Sequence, residues 1–123
     1  MLAVTRYRID PTEAAAFLAQ ARAALAVLAD RPGWRTGHVG RATDDPALWL
    51  LISEWDDVGS YRRALSAYEV KVTAVPLLSR AIDEPTAFEV LTDADGHGSA
   101  LAGDAGLVGV GEAAAPVVST DLD

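Results

Sequence analysis

The feature that most constrains this fold is an uninterrupted apolar run, Leu-Trp-Leu-Leu-Ile, at positions 48–52. The run lies inside a strand that we predict at 47–55. In a strand with one face in water, apolar and polar side chains alternate, whereas a continuous apolar run indicates that both faces are covered. The sheet that contains this strand therefore needs a layer of protein on each side.

Three further strands are predicted within residues 1–92 from their β-branched and aromatic residues. They lie at 2–9, 34–42 and 85–91. The turn Thr-Asp-Asp-Pro at 43–46 joins the second strand to the third as a hairpin. Gly37 and Gly40 within the second strand indicate a bulge or a close approach to its backbone.

The first predicted helix begins at Asp10, whose side chain can cap it. Pro11 suits the first helical position, and Glu13 completes a capping box. The helix runs to about residue 29, where Arg-Pro-Gly at 31–33 ends it. Its buried stripe follows helical spacing and consists of Phe17, Ala21, Leu25 and Leu28.

The second predicted helix covers about 58–72 and is capped by Asp56 or Asp57. Pro76 interrupts it, and residues 76–82 are predicted as a short extra turn. The apolar face of this helix consists of Tyr61, Leu65, Tyr68 and Val72.

The order β-α-β-β-α-β predicts an α+β, ferredoxin-like fold: a four-stranded antiparallel sheet with both helices on one face. These helices cover only one side of the apolar run at 48–52. We expect a second copy of the same sheet to cover the other side, which makes the protein a homodimer. The short turn after Pro76, or a loop, is the alternative cover for part of that face.

A second segment, 93–123, differs sharply in charge from the first. Residues 1–92 contain 12 acidic and 10 basic residues, whereas 93–123 contain six acidic residues and no Lys or Arg. The segment is rich in Gly and Ala and has no aromatic residue. Such a sequence buries too little apolar surface to offset the entropy of ordering it, so we predict a flexible acidic tail.

Composition excludes several classes of function. The chain has no Cys and only two His, His38 and His97, so thiolate chemistry is excluded and a histidine metal site is not expected. A net charge of −8 disfavours nucleic acid as a partner. The apolar runs are too short to span a bilayer, and the first residues do not resemble a signal peptide, so no membrane is expected and the predicted location is the cytoplasm.

Several local sequences resemble the antibiotic biosynthesis monooxygenase family. They are Asp-Asp-Pro at 44–46, Ser-Glu-Trp-Asp at 53–56 before a helix that contains Tyr61, and Pro-Thr-Ala-Phe-Glu-Val at 85–90. The resemblance covers about residues 2–92. It implies a dimeric α+β barrel, a ligand cavity between helices and sheet, and oxidation of phenols to quinones by O2 without metal or flavin.

The resemblance is incomplete at the positions that carry chemistry in this family. Trp55 and Tyr61 match the Trp and Tyr that cofactor-free members place near the substrate. Those members also use an Asn, but this chain has none, and Leu51 stands at that position. Members that degrade heme carry a His late in the second helical region. Here Ala74 stands near that position, which disfavours heme as a ligand.

Three residues are candidates for catalysis. Trp55 and Tyr61 follow from the resemblance, and each can instead be an ordinary core or helix residue. His38 is a candidate general base because histidine titrates near neutral pH, although an exposed strand histidine is the alternative. The candidate substrate-binding residues are the remaining aromatic residues near the predicted pocket, together with the residue at the Asn position: Tyr7, Trp34, Trp49, Leu51 and Tyr68.

The sequence therefore supports two functions. The first is oxidation of a small aromatic phenol by O2 without a cofactor, in which the protein holds the ring, excludes water and handles one proton. The second is a dimeric barrel that binds a ligand or has a structural role without oxygenase chemistry, as the missing Asn suggests. Heme binding is a weaker third alternative.

Overall fold

A computed structural model describes residues 1–94 of the chain. The chain divides into two units, Met1–Glu89 and Val90–Asp123. In the second unit, residues 90–94 form neither helix nor strand. The predicted tail lies outside the described residues from position 95 onward. The fold and site below belong to the first unit.

The first unit is a four-stranded sheet in the order β2-β3-β1-β4, with every neighbouring pair antiparallel. This is the order of a ferredoxin-like sheet, as the sequence predicts. The strands are β1 (Leu2–Arg8), β2 (Trp34–Ala42), β3 (Asp45–Trp55) and β4 (Ala87–Phe88). β3 begins two residues earlier than predicted, because the hairpin turn uses only residues 43 and 44.

The central strand β3 has two different apolar faces. Trp49, Leu51 and Trp55 on the inner face are buried beneath the helices. Leu48, Leu50 and Ile52 on the outer face are only half-buried. The helices therefore cover one face of the apolar run, and no part of the chain between residues 1 and 94 buries the other.

Helix α1 (Ala14–Ala29) is preceded by a short 3₁₀ turn at Pro11–Glu13. The Asp10 carboxylate accepts hydrogen bonds from the Thr12 backbone and hydroxyl, so Asp10 caps the turn. The predicted capping box is wrong: the Glu13 carboxylate lies 3.9 Å from the Arg80 guanidinium.

One face of α1 packs against the sheet. The buried residues of that face are Phe17, Ala21, Ala24 and Leu28, with Leu25 half-buried beside them. By length and composition alone, Pro11–Ala29 is apolar enough to cross a bilayer. Helices in the core of a folded protein can have the same length and composition. Because the largest apolar side chains of this segment pack in the core, we interpret it as a core helix.

The second helical region is three short helices, where the sequence predicts one helix at 58–72 and a short extra turn at 76–82. These are α2 (Val58–Leu65), α3 (Tyr68–Thr73) and α4 (Val75–Leu78). The chain leaves the α-helix at Ser66 and Ala67, where the Ser66 hydroxyl donates to the Arg63 carbonyl. This break rotates the face of α3, so Val70 is buried and Tyr68 is 80% exposed.

The fourth strand is much shorter than the predicted 85–91. Only Ala87 and Phe88 pair with β1, opposite Ala3 and Leu2. The rest of the β1 edge is covered without a strand, since the backbone of Val4 donates to the Thr86 carbonyl and that of Ile82 to the Arg6 carbonyl. The backbone hydrogen bonds of this edge are therefore provided largely by a loop.

The prediction of a close approach at Gly37 is confirmed. A Cβ atom there would lie 2.3 Å from the Trp34 ring and 3.1 Å from Leu25. Only glycine leaves room for the Trp34 indole to lie flat against β2. Two irregularities of register flank this segment, one between Trp34 and Thr36 and the other between Arg41 and Ala42.

Candidate functional site

Several aromatic rings lie between the helices and the inner face of the sheet. At one end, Phe17 packs against Tyr7 and Trp49, with ring centroids 5.0 and 5.3 Å apart. At the other end, Trp55 packs between Trp34 and Tyr61, at 5.4 and 5.6 Å. Tyr7 lies directly opposite Trp49 in the β1–β3 ladder, so strands and helices together build one aromatic cluster.

Side-chain hydroxyls accept hydrogen bonds from two of these aromatic residues. The Tyr7 hydroxyl donates to Thr5 Oγ1 at 2.8 Å, and the Thr5 hydroxyl donates to the Leu51 carbonyl at 3.4 Å. The Trp55 Nε1–H donates to Ser53 Oγ at 2.9 Å. These hydrogen bonds lie on the inner face, where they fix the orientations of the Tyr7 phenol and the Trp55 indole.

The two tyrosines of the aromatic cluster are neutral phenols over an extended pH range. Burial raises the pKa of Tyr61, and the nearby Tyr7 raises it further. Burial also raises the pKa of Tyr7, against a smaller lowering by the hydrogen bond with Thr5. Tyr7 and Tyr61 are therefore suited to donate hydrogen bonds or protons, and neither is suited to act as a base near neutral pH.

This burial makes the fold sensitive to alkali. Unfolded tyrosine has a pKa of about 10, and the folded values of Tyr7 and Tyr61 are higher, so the unfolded chain releases these protons first. The two tyrosines leave the free energy of unfolding unchanged below about pH 10 and lower it as the pH rises further. We expect Tm to fall correspondingly in thermal melts followed by circular dichroism.

Two sets of variants test whether Tyr7 and Tyr61 cause the fall in Tm at high pH. Replacing both Tyr7 and Tyr61 with Phe should reduce the fall in Tm, whereas Tyr68→Phe, at an exposed ring, should leave it unchanged. An undiminished fall in the double variant would show that other groups cause the alkaline instability.

The structure gathers most of the predicted site residues and separates two of them. Six lie together on the inner face or against it: Tyr7, Trp34, Trp49, Leu51, Trp55 and Tyr61. Tyr68 projects into solvent from α3, so its predicted place on the apolar helix face is wrong. His38 lies on the outer face, opposite Ile52 in the β2–β3 ladder.

His38 borders a shallow pocket of about 240 Å³ on the outer face. The pocket is lined by residues of β1, β2 and β3: Arg6, His38, Gly40, Arg41, Ala42, Leu48, Trp49 and Leu50. The Arg6 guanidinium is paired with the Glu84 carboxylate at 2.7 Å. Because the sheet separates this pocket from Trp55 and Tyr61, His38 cannot act on a substrate held by those two residues.

Two polar residues of the inner face are missing from the sequence prediction. Thr5 and Ser53 are both buried, and each holds the polar group of an aromatic neighbour. Their signal is present in the sequence, since each occupies an inward position of its strand, two residues away from a buried aromatic residue. Small hydroxyl residues at such positions indicate a partner for a buried Tyr or Trp.

The described residues do not favour a metal or heme site. Among residues 1–94, no three His, Asp or Glu side chains are grouped closely enough to bind a metal ion. His38 is the only histidine in that part of the chain, and it lies on the outer face. Ala74, near the position at which the resemblance places a histidine in heme-degrading members, is buried and apolar.

The sequence comparison identifies the family. The profile of the antibiotic biosynthesis monooxygenases matches residues 1–74, which include both Trp55 and Tyr61. The chain belongs to the antibiotic biosynthesis monooxygenase family. No curated protein matches this family member in sequence.

Solved structures share the fold of this antibiotic biosynthesis monooxygenase family member. SnoaB, a cofactor-independent oxygenase from Streptomyces nogalater solved as a variant, is 24% identical with a TM-score of 0.59, over 75% of this chain and 96% of its own. Another antibiotic biosynthesis monooxygenase is 21% identical with a TM-score of 0.56, over 77% and 99%. A conserved protein from Methanosarcina mazei is 21% identical with a TM-score of 0.58, over 70% and 84%.

Proposed function

We propose that this protein is a monooxygenase that oxidises a small phenolic aromatic with O2 and needs no metal or organic cofactor. The observation that carries the proposal is the contact between Trp55 and Tyr61 inside the aromatic cluster, with ring centroids 5.6 Å apart. Family membership supports oxygenase chemistry. SnoaB, which shares the fold, is a cofactor-independent oxygenase.

The proposed reaction asks little of the protein. Loss of the phenolic proton gives an electron-rich anion that reacts with O2. One oxygen atom becomes a ring carbonyl, and the other leaves as water with the two hydrogens that the ring system gives up. Aromatic walls such as Trp55 orient the ring and exclude water. The neutral Tyr61 hydroxyl donates a hydrogen bond to an oxygen of the substrate or of the peroxide formed from O2.

A binding function without oxygenase chemistry is the second candidate. Leu51 is buried and apolar at the position where cofactor-free members carry an Asn. The polar groups of Tyr7 and Trp55 are already bonded to Thr5 and Ser53. A cluster with this composition can bind an aromatic ligand without activating it.

We also propose that the protein is a homodimer whose subunits meet through the outer faces of their sheets. Leu48, Leu50 and Ile52 on β3 are half-buried within one chain, and Val4 on β1 extends the same apolar surface. Apolar surface of this kind, on a strand with no alternation, is typical of a sheet that packs against a second layer.

The functions are separated by three measurements on the intact chain. Oxygen uptake with a dihydroxynaphthalene or with anthrone is expected under the oxygenase proposal. Tight binding of the same compounds with no oxygen uptake would support the binding function instead. Titration with hemin is expected to give no new Soret absorption, and a stable Soret band would establish heme as the ligand.

Substitution of Trp55 and Tyr61 tests their roles directly. Trp55→Phe and Tyr61→Phe are each expected to lower turnover at least about tenfold, the usual effect of losing a positioning or proton-donating group. Tyr61→Phe removes only the hydroxyl, so a change in kcat at unchanged Tm would assign the loss to chemistry. The measurement is oxygen consumption at saturating substrate, with circular dichroism to establish folding.

Tyr68→Phe is the matched control, because it removes a phenolic hydroxyl from an exposed helix. It should leave turnover unchanged. If His38→Gln abolishes activity while the inner-face variants keep it, the reaction takes place on the outer face and the inner-face proposal is wrong.

A further inference from the structure

Trp49 carries a buried hydrogen-bond donor that nothing in the described chain uses. Its side chain is 6% exposed, and its Nε1–H has no acceptor among residues 1–94. Buried polar groups in folded proteins almost always have partners, so each exception needs an explanation. Because leaving a buried N–H unpaired costs free energy, this donor points to an acceptor that the protein binds.

Trp55 shows that this strand can itself provide an acceptor for an indole N–H. Both tryptophans lie on the inner face of β3, and Trp55 donates its N–H to Ser53, two residues before it. The residue two positions before Trp49 is Ala47, which has no hydroxyl to offer. The indole N–H therefore has an acceptor two residues before it on β3 at Trp55, but not at Trp49.

The surroundings of Trp49 favour a negatively charged oxygen on an aromatic ring. The Arg41 guanidinium carbon lies 5.2 Å from the centre of the Trp49 ring, so a cation sits against the indole. Such a cation makes the indole N–H a stronger donor to an anion. Phe17 packs edge-on against Trp49, and Tyr7 lies opposite it, so two further neighbours are aromatic.

We infer that Trp49 Nε1–H donates a hydrogen bond to the ionised oxygen of the phenolic ligand, with the Arg41 cation supporting that charge. This inference rests on the proposed function for the class of ligand. It assigns Trp49 a part in selecting the phenolate form: the bound ligand loses its proton more readily than the free ligand. The Trp49 N–H is also a hydrogen-bond donor on the same face of β3 as Leu51, which stands where cofactor-free members carry an Asn.

The test uses p-nitrophenol, whose ionised form is coloured, and measures the pKa of the bound compound by absorbance. In the unsubstituted protein we expect the bound pKa to lie about one unit below that of free p-nitrophenol, the size of one hydrogen bond to a charged oxygen. Trp49→Phe keeps an aromatic ring and removes the N–H, so it should return the bound pKa to the free value.

Two further variants separate this role from simple packing. Tyr68→Phe changes an exposed aromatic side chain on α3, so the pKa of the bound probe should stay low. Arg41→Gln changes an exposed side chain and leaves the fold intact, so it keeps the inference testable if Trp49→Phe fails to fold. It should raise the bound pKa part of the way.

The outcomes for this inference and for the proposed function are distinct. The inference is overturned if p-nitrophenol does not bind, if its bound pKa equals the free value, or if a folded Trp49→Phe and Arg41→Gln both keep the lowered pKa. Oxygen uptake that persists in that case leaves the oxygenase proposal standing. A pKa shift that depends on Trp49, in a protein that consumes no oxygen with any phenol, supports the inference and overturns the oxygenase proposal.

Discussion

Replacing Ile52 with Asp is expected to convert the proposed dimer to a monomer. Ile52 lies at the centre of the outer face, between Val4 of β1 and His38 of β2 in the register of the sheet. In a two-fold interface the substitution appears twice, so two carboxylates would be buried among apolar side chains, each beside a His38 imidazole. Because removing each carboxylate from water costs several kcal/mol, the dissociation constant should rise at least about a thousandfold.

Sedimentation velocity at micromolar concentration measures this change. Val72→Asp is the matched control: it also replaces an aliphatic residue with Asp, but on the exposed surface of α3. It should leave the protein dimeric. A monomeric unsubstituted protein would contradict the dimer itself, and a dimer that survives Ile52→Asp would place the interface elsewhere.

Gly33→Ala is expected to destabilise the fold by at least about 2 kcal/mol, equivalent to roughly 10 °C in Tm for a domain of this size. Gly33 has a φ of +90°, a conformation that a residue with a Cβ adopts only with strain. A Cβ there would lie 2.3 Å from Ser60 Oγ and 2.4 Å from Ser60 Cβ, so the loop and α2 would have to separate. Calorimetry or thermal melts measure the loss.

Gly59→Ala provides a control with the opposite sign. Gly59 lies within α2, where alanine is favoured over glycine by about 0.5–1 kcal/mol. Its new Cβ would meet Arg63 Nη1 at 3.1 Å, and the end of that flexible side chain can move away. An equal loss of stability in both variants would show that the fold tolerates no glycine substitution here, and that the contact with Ser60 has no special importance.

The architecture could be predicted from the sequence where local signals and tertiary packing agree. β2 begins and ends where the sequence predicts, and α1 ends at Ala29, as predicted. The break between α2 and α3 could not be predicted, because the apolar spacing of Tyr61, Leu65 and Tyr68 continues through it. β4 is short because a loop provides most of the backbone hydrogen bonds along the β1 edge, so that only Leu2 and Ala3 pair with the strand.

The position of His38 shows why the site was only partly predictable. Simple alternation along β2 places Trp34, Thr36 and His38 on one face. The irregularity of register after Trp34 reverses which face each later side chain occupies. Trp34 therefore lies against Trp55, whereas Thr36 and His38 lie on the outer face. One unpaired residue in a strand is enough to move every later side chain to the other side.

The alternation along β3 also limits how proteins of this design can diverge. Trp49, Leu51, Ser53 and Trp55 face the interior, whereas Leu50, Ile52 and Glu54 alternate with them on the outer surface. Substitutions on one side can therefore accumulate without touching the other, so ligand choice and subunit assembly can evolve as separate traits. A single inserted or deleted residue in β3 would exchange the two sets and damage both traits at once. Selection should thus hold the length of this strand more strictly than its sequence.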